Sequence, residues 1–262
     1  MQKNLFDYTL RIADNALILG HRLSELCGHG PVLEQDIAMT NIALDLVGQA
    51  RSLYQYAAEV HNSTLAGFET LPTFRCKTED DIAYLRDVYD FKNLLLVEQP
   101  NGDFADTVVR QFFFSAFQLP FYEKLVLSKD DILRGVSEKA VKELTYHLRW
   151  SSEWLIRLGD GTEESHERAQ KAVDNLWTYS GEALIADDLD NWANTEGVGV
   201  DLESIKATFD KNINDILAEA TLTKPTANYM QKGGKQGRHT EYLGYILAEM
   251  QFMQRAYPNM AW

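Results

Sequence analysis

Two stretches of the chain have the spacing, but not all of the residue types, of a di-iron site. Di-iron carboxylate proteins built on four helices use a Glu from each of two helices and a Glu-x-x-His step from each of the other two. Here the two three-residue steps are Leu46-x-x-Gln49 and Leu144-x-x-His147, each within a long amphipathic segment. Because leucine has no donor atom for iron, the pattern predicts helices that keep the architecture of a metal site and lack its ligands.

The remaining histidines give little support for a metal site elsewhere. Only His166 has a Glu or Asp three residues before it, and this residue, Glu163, follows the loop-like sequence 159–162. A Glu at the start of a helix is expected to interact with the helix dipole. His147 shares the apolar face of its segment and is expected to be a hydrogen-bonded core residue. A bond to Gln49 across two helices would satisfy both side chains, and we predict that contact.

A second candidate site is a cluster of basic residues in an otherwise acidic chain. Lys232, Lys235 and Arg238 lie in the glycine-rich segment 232–239. Glycines allow close approach to the backbone, and basic side chains hold phosphate groups or an acidic partner surface. The alternative is a solvated loop that leads to a helix capped by Thr240, since no complete phosphate-binding motif is present.

Composition limits the classes of function. The chain has 262 residues, with 25 basic and 39 acidic side chains and a formal net charge of −14. This charge disfavours binding to nucleic acid or to an anionic membrane, because phosphate groups would be repelled. No run approaches the ~20 apolar residues that span a bilayer. The N-terminus has no signal-peptide pattern, and Cys27 and Cys76 form no disulfide framework, so a cytoplasmic location is expected.

Apolar residues repeat with helical spacing through most of the chain. Segments 34–61, 137–158 and 243–257 have apolar residues at steps of three or four, which is typical of one buried helix face. A first helix is predicted from about Leu5 to Cys27, where glycine and proline follow. Further helix starts are predicted at Asp103 and Ser137. Irregular stretches are predicted at 62–79, 98–103, 159–165, 190–200 and 221–238.

Strand patterns are almost absent, and no segment has the composition of an interdomain linker. The sequence therefore predicts one all-α domain over 1–262, with seven or eight helices around a long bundle.

Segment 104–127 differs from the other helical segments. Its aromatic and aliphatic residues point nearly all round the predicted helix, which is typical of a fully buried or interface position. Pro120 is expected to kink this helix locally.

Five stretches of the sequence match the pattern of one family: 8–11, 45–51, 93–102, 142–149 and 239–241. With these stretches the chain resembles the structural C subunits of bacterial phenylacetyl-CoA 1,2-epoxidases, the ring-epoxidising oxygenases of phenylacetate catabolism. The resemblance runs nearly end to end, and its most specific part is Leu95-Leu96-Val97-Glu98-Gln99-Pro100-Asn101-Gly102.

The resemblance implies a ferritin-like, ribonucleotide-reductase-like bundle and a set of degenerate ligand positions. In that family the catalytic A subunit has the same fold and carries Asp-Glu-Ala-Gly-His and Glu-Glu-x-x-His motifs. Against those motifs, Leu46 and Leu144 stand where ligand glutamates would fall. Gln49 replaces one histidine, and His147 matches the other.

The helices expected to supply the remaining carboxylates offer Leu17 and Ser115 by approximate placement. The resemblance therefore implies a non-catalytic subunit that holds no metal and no other cofactor. This subunit would form a heterodimer with a catalytic di-iron A subunit, in a complex with further small and reductase subunits that oxidises phenylacetyl-CoA. The aromatic segment 104–127 and the outer face of segment 34–61 are the candidate partner contacts.

Two other functions remain open from the sequence. The first is a self-sufficient carboxylate-metal oxygenase, in which Glu98, Asp106 and Glu241 would converge with His147 on one ion. The second is a helical module that binds a CoA ester through the basic segment 232–239.

Overall fold

The architecture is entirely helical in the part of the chain that can be described. The computed structural model describes residues 2–63, 76–226, 229–258 and 260, and no strand occurs among them. The α-helices in these ranges are α1 (Gln2–Ser24), α2 (Leu33–Ser63), α3 (Glu79–Tyr84), α4 (Phe104–Leu125), α5 (Asp131–Gly159), α6 (Glu163–Ser180), α7 (Asp188–Glu196), α8 (Glu203–Glu219), α9 (Glu241–Met250) and α10 (Phe252–Ala256). The predicted all-α class is confirmed.

More helices are present than the seven or eight that were predicted, because several are too short to show a periodic pattern. α7 fills much of the stretch 190–200, which was predicted to be irregular. The predicted C-terminal helix is divided at Gln251 into α9 and α10. Residues 64–75 of the predicted irregular stretch 62–79 lie outside the described residues.

Capping residues fix where two of the long helices begin. The Asp103 side chain accepts hydrogen bonds from the amides of Ala105 and Asp106, so α4 begins where the sequence predicted. The start predicted for α5 at Ser137 is wrong, because Asp130 caps the helix seven residues earlier. The Ser137 hydroxyl instead donates to the carbonyl of Leu133 inside the helix.

The four longest helices pack as two pairs. α1 packs along α2, α4 packs along α5, and contacts between α2 and α5 join the pairs. The shorter helices cover the ends and sides, with α7 and α9 against α1, and α6 and α8 against α4. Every helix except α10 contributes buried residues to one hydrophobic core.

The aromatic helix α4 lies inside this bundle. Its side chains are buried on nearly every side, because α5, α6 and α8 all pack against it. The helix continues through Pro120. Of the two positions that the sequence allowed, buried or interfacial, the structure has the buried one. The expectation that 104–127 contacts a partner is therefore wrong.

A buried carboxylate holds the segment that precedes α4 against the bundle. Asp14 of α1 is fully buried and accepts hydrogen bonds from the Tyr54 hydroxyl at 2.6 Å and from the Lys92 amide at 2.7 Å. Both terminal nitrogens of Arg86 also donate to Asp14, one of them at 3.1 Å. Burial and the Asp14 charge raise the pKa of Tyr54 well above its usual value. The phenol therefore remains a donor.

Two buried arginines fix the stretch that the family resemblance singled out. Arg22 donates twice to the carbonyl of Glu98, at 2.9 and 3.2 Å. Arg110 donates to the carbonyl of Gln99 and to the side chain of Asn101, both at 2.6 Å. Burial, with the nearby Arg22 charge, lowers the pKa of Arg110 to about 9. The backbone carbonyls of Glu98 and Gln99 therefore anchor this stretch to two guanidinium groups from α1 and α4.

Arg86→Met is expected to lower the free energy of unfolding by about 3–5 kcal/mol, because it leaves the buried Asp14 carboxylate without its charged partner. Urea unfolding followed by tryptophan fluorescence measures this change. The matched control is Lys211→Met, which removes an exposed ion pair with Asp215 and should cost less than about 1 kcal/mol. Equal effects of the two variants would contradict the role given to Asp14.

Candidate functional site

The leucines at the positions that the family resemblance aligned with metal ligands are core residues. Leu46 on α2 and Leu144 on α5 have no exposed surface, and Leu17 on α1 is also buried. Ser115 on α4 is fully buried, and its hydroxyl accepts a hydrogen bond from the side-chain amide of Gln111 at 2.8 Å. These positions on the four longest helices therefore present three apolar side chains and one hydroxyl.

The polar residues of the two motifs form a reciprocal pair of contacts between α2 and α5. His147 Nε2 lies 3.0 Å from the carboxylate of Asp45, and Gln49 Nε2 donates to the carboxylate of Glu143 at 2.9 Å. Asp45 and Glu143 each come directly before one of the two leucines in the sequence. Asp45 contacts the last residue of the α5 motif, and Glu143 contacts the last residue of the α2 motif. The predicted bond between Gln49 and His147 is wrong, because each side chain binds a carboxylate instead.

The pairs continue into the bundle through an amide contact. Gln118 of α4 donates to the Gln49 side-chain oxygen at 3.4 Å, a long and weak hydrogen bond. His147 is fully buried, and its Nδ1 has no hydrogen-bond partner among the described residues. These residues form one polar cluster across α2, α4 and α5, between apolar core residues. We call this cluster the polar seam; its members are Asp45, Gln49, Gln118, Glu143 and His147.

The donor set at this seam does not fit a di-iron centre. Such a centre takes about four carboxylates and two imidazoles directed at one point, whereas Leu17, Leu46 and Leu144 offer no donor atoms. Across the described ranges, no group of three or more His, Cys, Asp or Glu side chains is arranged to hold a metal ion.

The ligands proposed for a self-sufficient oxygenase lie apart from His147. Glu98 is buried against His239, whose Nδ1 is 2.8 Å from its carboxylate, and it also accepts from the Thr240 amide. Asp106 caps its own helix by accepting from the amide of Asp103. Glu241 is exposed in the first turn of α9. The convergence that this alternative requires is therefore contradicted.

The basic segment 232–239 is a packed part of the structure. The amides of Gly233 and Gly234 donate to the buried carboxylate of Glu182 at 2.7 and 2.8 Å. A Cβ on Gly234 would lie 2.2 Å from the carbonyl oxygen of Asn93, so only glycine permits this approach. These glycines therefore allow the segment 232–239 to pack closely against Asn93 and Glu182. The alternative of a solvated loop is wrong for this part of the segment.

Lys235 points into the protein. Its ammonium donates to Asp190 and to the carbonyl of Ile185, each at 2.9 Å, and the residue is 7% exposed. Arg11 binds the same Asp190 at 2.9 Å, so the charge of Lys235 belongs to a buried ion-pair cluster. The prediction of Lys235 as a surface contact is contradicted. Lys232 and Arg238 are not buried, and their contact with CoA or with a partner stays a prediction.

The outer face of α2 is apolar over its first half. Leu33, Ile37 and Leu44 are 71, 50 and 65% exposed, and Val32 just before the helix is 51% exposed. A groove of about 260 Å³ runs beside this face, between α2 and α5. The residues lining this α2–α5 groove are Leu44, Asp45, Gly48, Gln49, Ser52, Gly135, Val136, Lys139, Ala140 and Glu143.

Glycines open both walls of the α2–α5 groove. A Cβ added at Gly48 on α2 or at Gly135 on α5 would meet no atom within 4 Å. Asp45 and Glu143 of the two cross-helix pairs lie in the same groove, and the Asp45 side chain is 35% exposed. The polar seam therefore reaches the surface along a groove with an apolar rim.

Comparison with known proteins assigns the chain to a family. The family described as "Phenylacetic acid catabolic protein" matches residues 1–262. The chain belongs to this family. A relative from Escherichia coli (strain K12), the C subunit of 1,2-phenylacetyl-CoA epoxidase, is 46% identical over 255 residues, which cover 97% of this chain and 98% of the relative. The resemblance found from the sequence and the ferritin-like helical fold are confirmed.

The two motifs also contain a four-residue spacing that the search for iron ligands did not consider. Asp45 and Gln49, like Glu143 and His147, stand four residues apart, which places each pair on one helix face. A search for carboxylates three residues before a histidine misses them. The carboxylates of Glu182 and Asp190 were also missed, because their partners lie 45 to 179 residues away in sequence.

None of the described helices of this family member is long and apolar enough to cross a membrane.

Gln49→Leu is expected to lower the free energy of unfolding by about 1–3 kcal/mol, because the Glu143 carboxylate and the Gln118 amide each lose a partner. A leucine that only filled apolar space would be neutral or stabilising. Urea unfolding measures the change. The control is Gln55→Leu on the same helix, which removes an exposed hydrogen bond to Glu79 and is expected to change the free energy of unfolding by no more than about 0.5 kcal/mol. A neutral Gln49→Leu variant would show that the polar seam contributes no stability.

Proposed function

We propose that this chain is a non-catalytic structural subunit of a multi-subunit oxygenase that epoxidises the ring of phenylacetyl-CoA. In this assignment it pairs with a catalytic di-iron subunit of the same fold and stabilises that subunit. Iron, oxygen and the electrons delivered by a reductase are handled by the other subunits.

The observation that carries the structural role is the complete burial of Leu46 and Leu144 at the degenerate ligand positions. Carboxylates inside a bundle have a desolvation cost unless a metal or donors compensate it, and leucine removes that cost. In this assignment the bundle needs no metal to compensate these positions. A metal-free bundle of this kind is suited to support a partner whose own interior contains polar ligands.

The substrate class is supported by the relative. A protein named as the C subunit of a 1,2-phenylacetyl-CoA epoxidase is 46% identical to this chain over nearly the whole of both. Identity at that level over 97% of the chain favours the same position in an equivalent complex.

The proposed surface for the catalytic subunit is the outer face of α2 with the α2–α5 groove. Leu33, Ile37 and Leu44 form a row of exposed apolar side chains, which a soluble monomer rarely presents. Gly48 and Gly135 leave the groove open for the close approach of a helix from the partner. An obligate interface is expected to bury more than about 2,000 Å², and this row would form its centre.

A second exposed apolar set is available for the further small subunits. Tyr245, Phe252, Met253 and Tyr257 are exposed on and just after α9 and α10, beside an open groove of about 500 Å³. This second groove shares no lining residue with the α2–α5 groove. The chain can therefore contact two partners through different residues.

The proposal is tested by expressing the chain alone and together with the catalytic subunit. We expect no stoichiometric iron in the isolated chain, no epoxidation of phenylacetyl-CoA by it, and co-purification of the two subunits. Metal analysis by mass spectrometry and product analysis by chromatography provide the measurements. Two irons per isolated chain, or turnover without the catalytic subunit, would overturn the assignment.

Leu44→Asp is expected to weaken binding of the catalytic subunit by tenfold or more, because it places a charge at the centre of an apolar interface. Affinity is measured by biolayer interferometry with the purified subunits. The matched control is Ile185→Asp, at another exposed aliphatic residue outside the proposed face, and it should leave the affinity unchanged. If both variants bind as the wild type does, the interface lies elsewhere.

A further inference from the structure

An internal cavity lies between α1 and α4. Its volume is about 30 Å³, and every residue that lines it is buried. Most of the wall is aromatic and aliphatic, and its aromatic residues come largely from α4. The polar residues of the lining include Arg11 of α1, Gln118 and Tyr122 of α4, and the Asp190–Lys235 pair. The cavity is separate from the α2–α5 groove, because the two share no lining residue.

Three buried polar atoms of the lining residues have no hydrogen-bond partner within the described protein. They are Nε of Arg11, Oε1 of Gln118 and the hydroxyl oxygen of Tyr122. Buried polar groups in proteins are nearly always paired with protein or with ordered water. Three such atoms around one cavity therefore point to an occupant that pairs with them.

The other polar atoms of these residues already have partners. Both terminal nitrogens of Arg11 bind Asp187 and Asp190 at 2.7 to 3.0 Å. The amide nitrogen of Gln118 donates to Gln49. Burial raises the pKa of Tyr122, and the interaction of its hydroxyl with the Gln118 side chain lowers this pKa only in part. The hydroxyl therefore keeps its proton and can both donate and accept. The three unpaired atoms are thus a donor (Arg11 Nε), an acceptor (Gln118 Oε1) and a hydroxyl that can donate and accept (Tyr122).

This set selects the chemistry of the occupant. An anion accepts only and would leave Gln118 Oε1 unmatched, whereas a cation would leave Arg11 Nε unmatched. The nearby charges are also balanced, with Arg11 and Lys235 paired to Asp187 and Asp190. Water both donates and accepts, and a cavity of this volume holds one or two molecules. An apolar guest would satisfy none of the three atoms.

We propose that this cavity is a binding site for one or two ordered water molecules, held by Arg11 Nε, Gln118 Oε1 and the Tyr122 hydroxyl. The water joins α1 to α4, two central helices whose polar atoms at this point have no direct hydrogen bond to each other among the described residues. Gln118 also binds Gln49, so the water extends the polar seam from the α2–α5 groove to the Arg11 cluster.

A crystal structure of the full wild-type chain, at a resolution that shows ordered water, tests the site directly. We expect one or two water peaks in the cavity within hydrogen-bonding distance of the three atoms. An empty cavity, or density for a molecule other than water, would overturn the proposal.

Tyr122→Phe gives a second, independent readout. If the hydroxyl binds water, its removal leaves that water short of a partner and lowers Tm by about 2–4 °C. If the hydroxyl faces a dry cavity, its removal leaves Tm unchanged or raises it, and that outcome would also overturn the proposal. The control is Tyr84→Phe on α3, which removes a hydroxyl from a half-buried ring outside the cavity and should leave Tm within about 1 °C. Differential scanning calorimetry of the full chain measures all three proteins.

Discussion

A carboxylate buried in a protein needs donors for both of its oxygens, and this requirement organises the non-helical parts of the chain. Asp14 holds the region around Arg86 and Lys92 against α1. Glu98 receives His239 and Thr240, and Glu182 receives amides from Leu95 and from the glycines at 233 and 234. The segments before α4 and before α9 are therefore bound to each other and to the bundle through buried charges. Their long irregular paths are fixed for this reason.

The same requirement explains the centre of the bundle. Leu17, Leu46 and Leu144 occupy three of the four positions that the family resemblance aligned with ligand carboxylates, and a leucine side chain needs no donors. The carboxylates of Asp45 and Glu143 lie one residue earlier, at the edge of the α2–α5 contact, where His147 and Gln49 satisfy them. In this way the interior is apolar at three of these four positions, while a few specific hydrogen bonds fix the register of two long helices.

The division between interior and surface agrees with the accessory role proposed above. The apolar residues of the aromatic helix α4 are nearly all buried inside the chain. The apolar residues that remain exposed are concentrated on the outer face of α2 and near the C-terminal helices. An acidic chain with a net charge of −14 repels copies of itself at long range, so a different partner is favoured on these surfaces.

The sequence by itself determined the helical class, the extent of α2 and α4, and the apolar stripes that contain Leu46 and Leu144. These follow from local periodicity and capping, which act within one helix turn or two. The family also followed from the sequence, since its motifs are short and contiguous. The start of α5 was missed because Asp130 and Ser137 are both good capping residues, and only packing selects between them.

Tertiary structure alone decided which polar groups meet. The partners of His147, Gln49 and Lys235 are separated from them by 45 to 102 residues, and each had several chemically equivalent candidates in the sequence. The glycines at 233 and 234 have the composition of a ligand-binding loop but bring two parts of the chain together. Periodicity tells which face of a helix is buried. It does not tell which charged group lies opposite a buried one. That depends on how the helices pack, because a hydrogen bond forms between atoms that are close in space, whatever their separation in sequence.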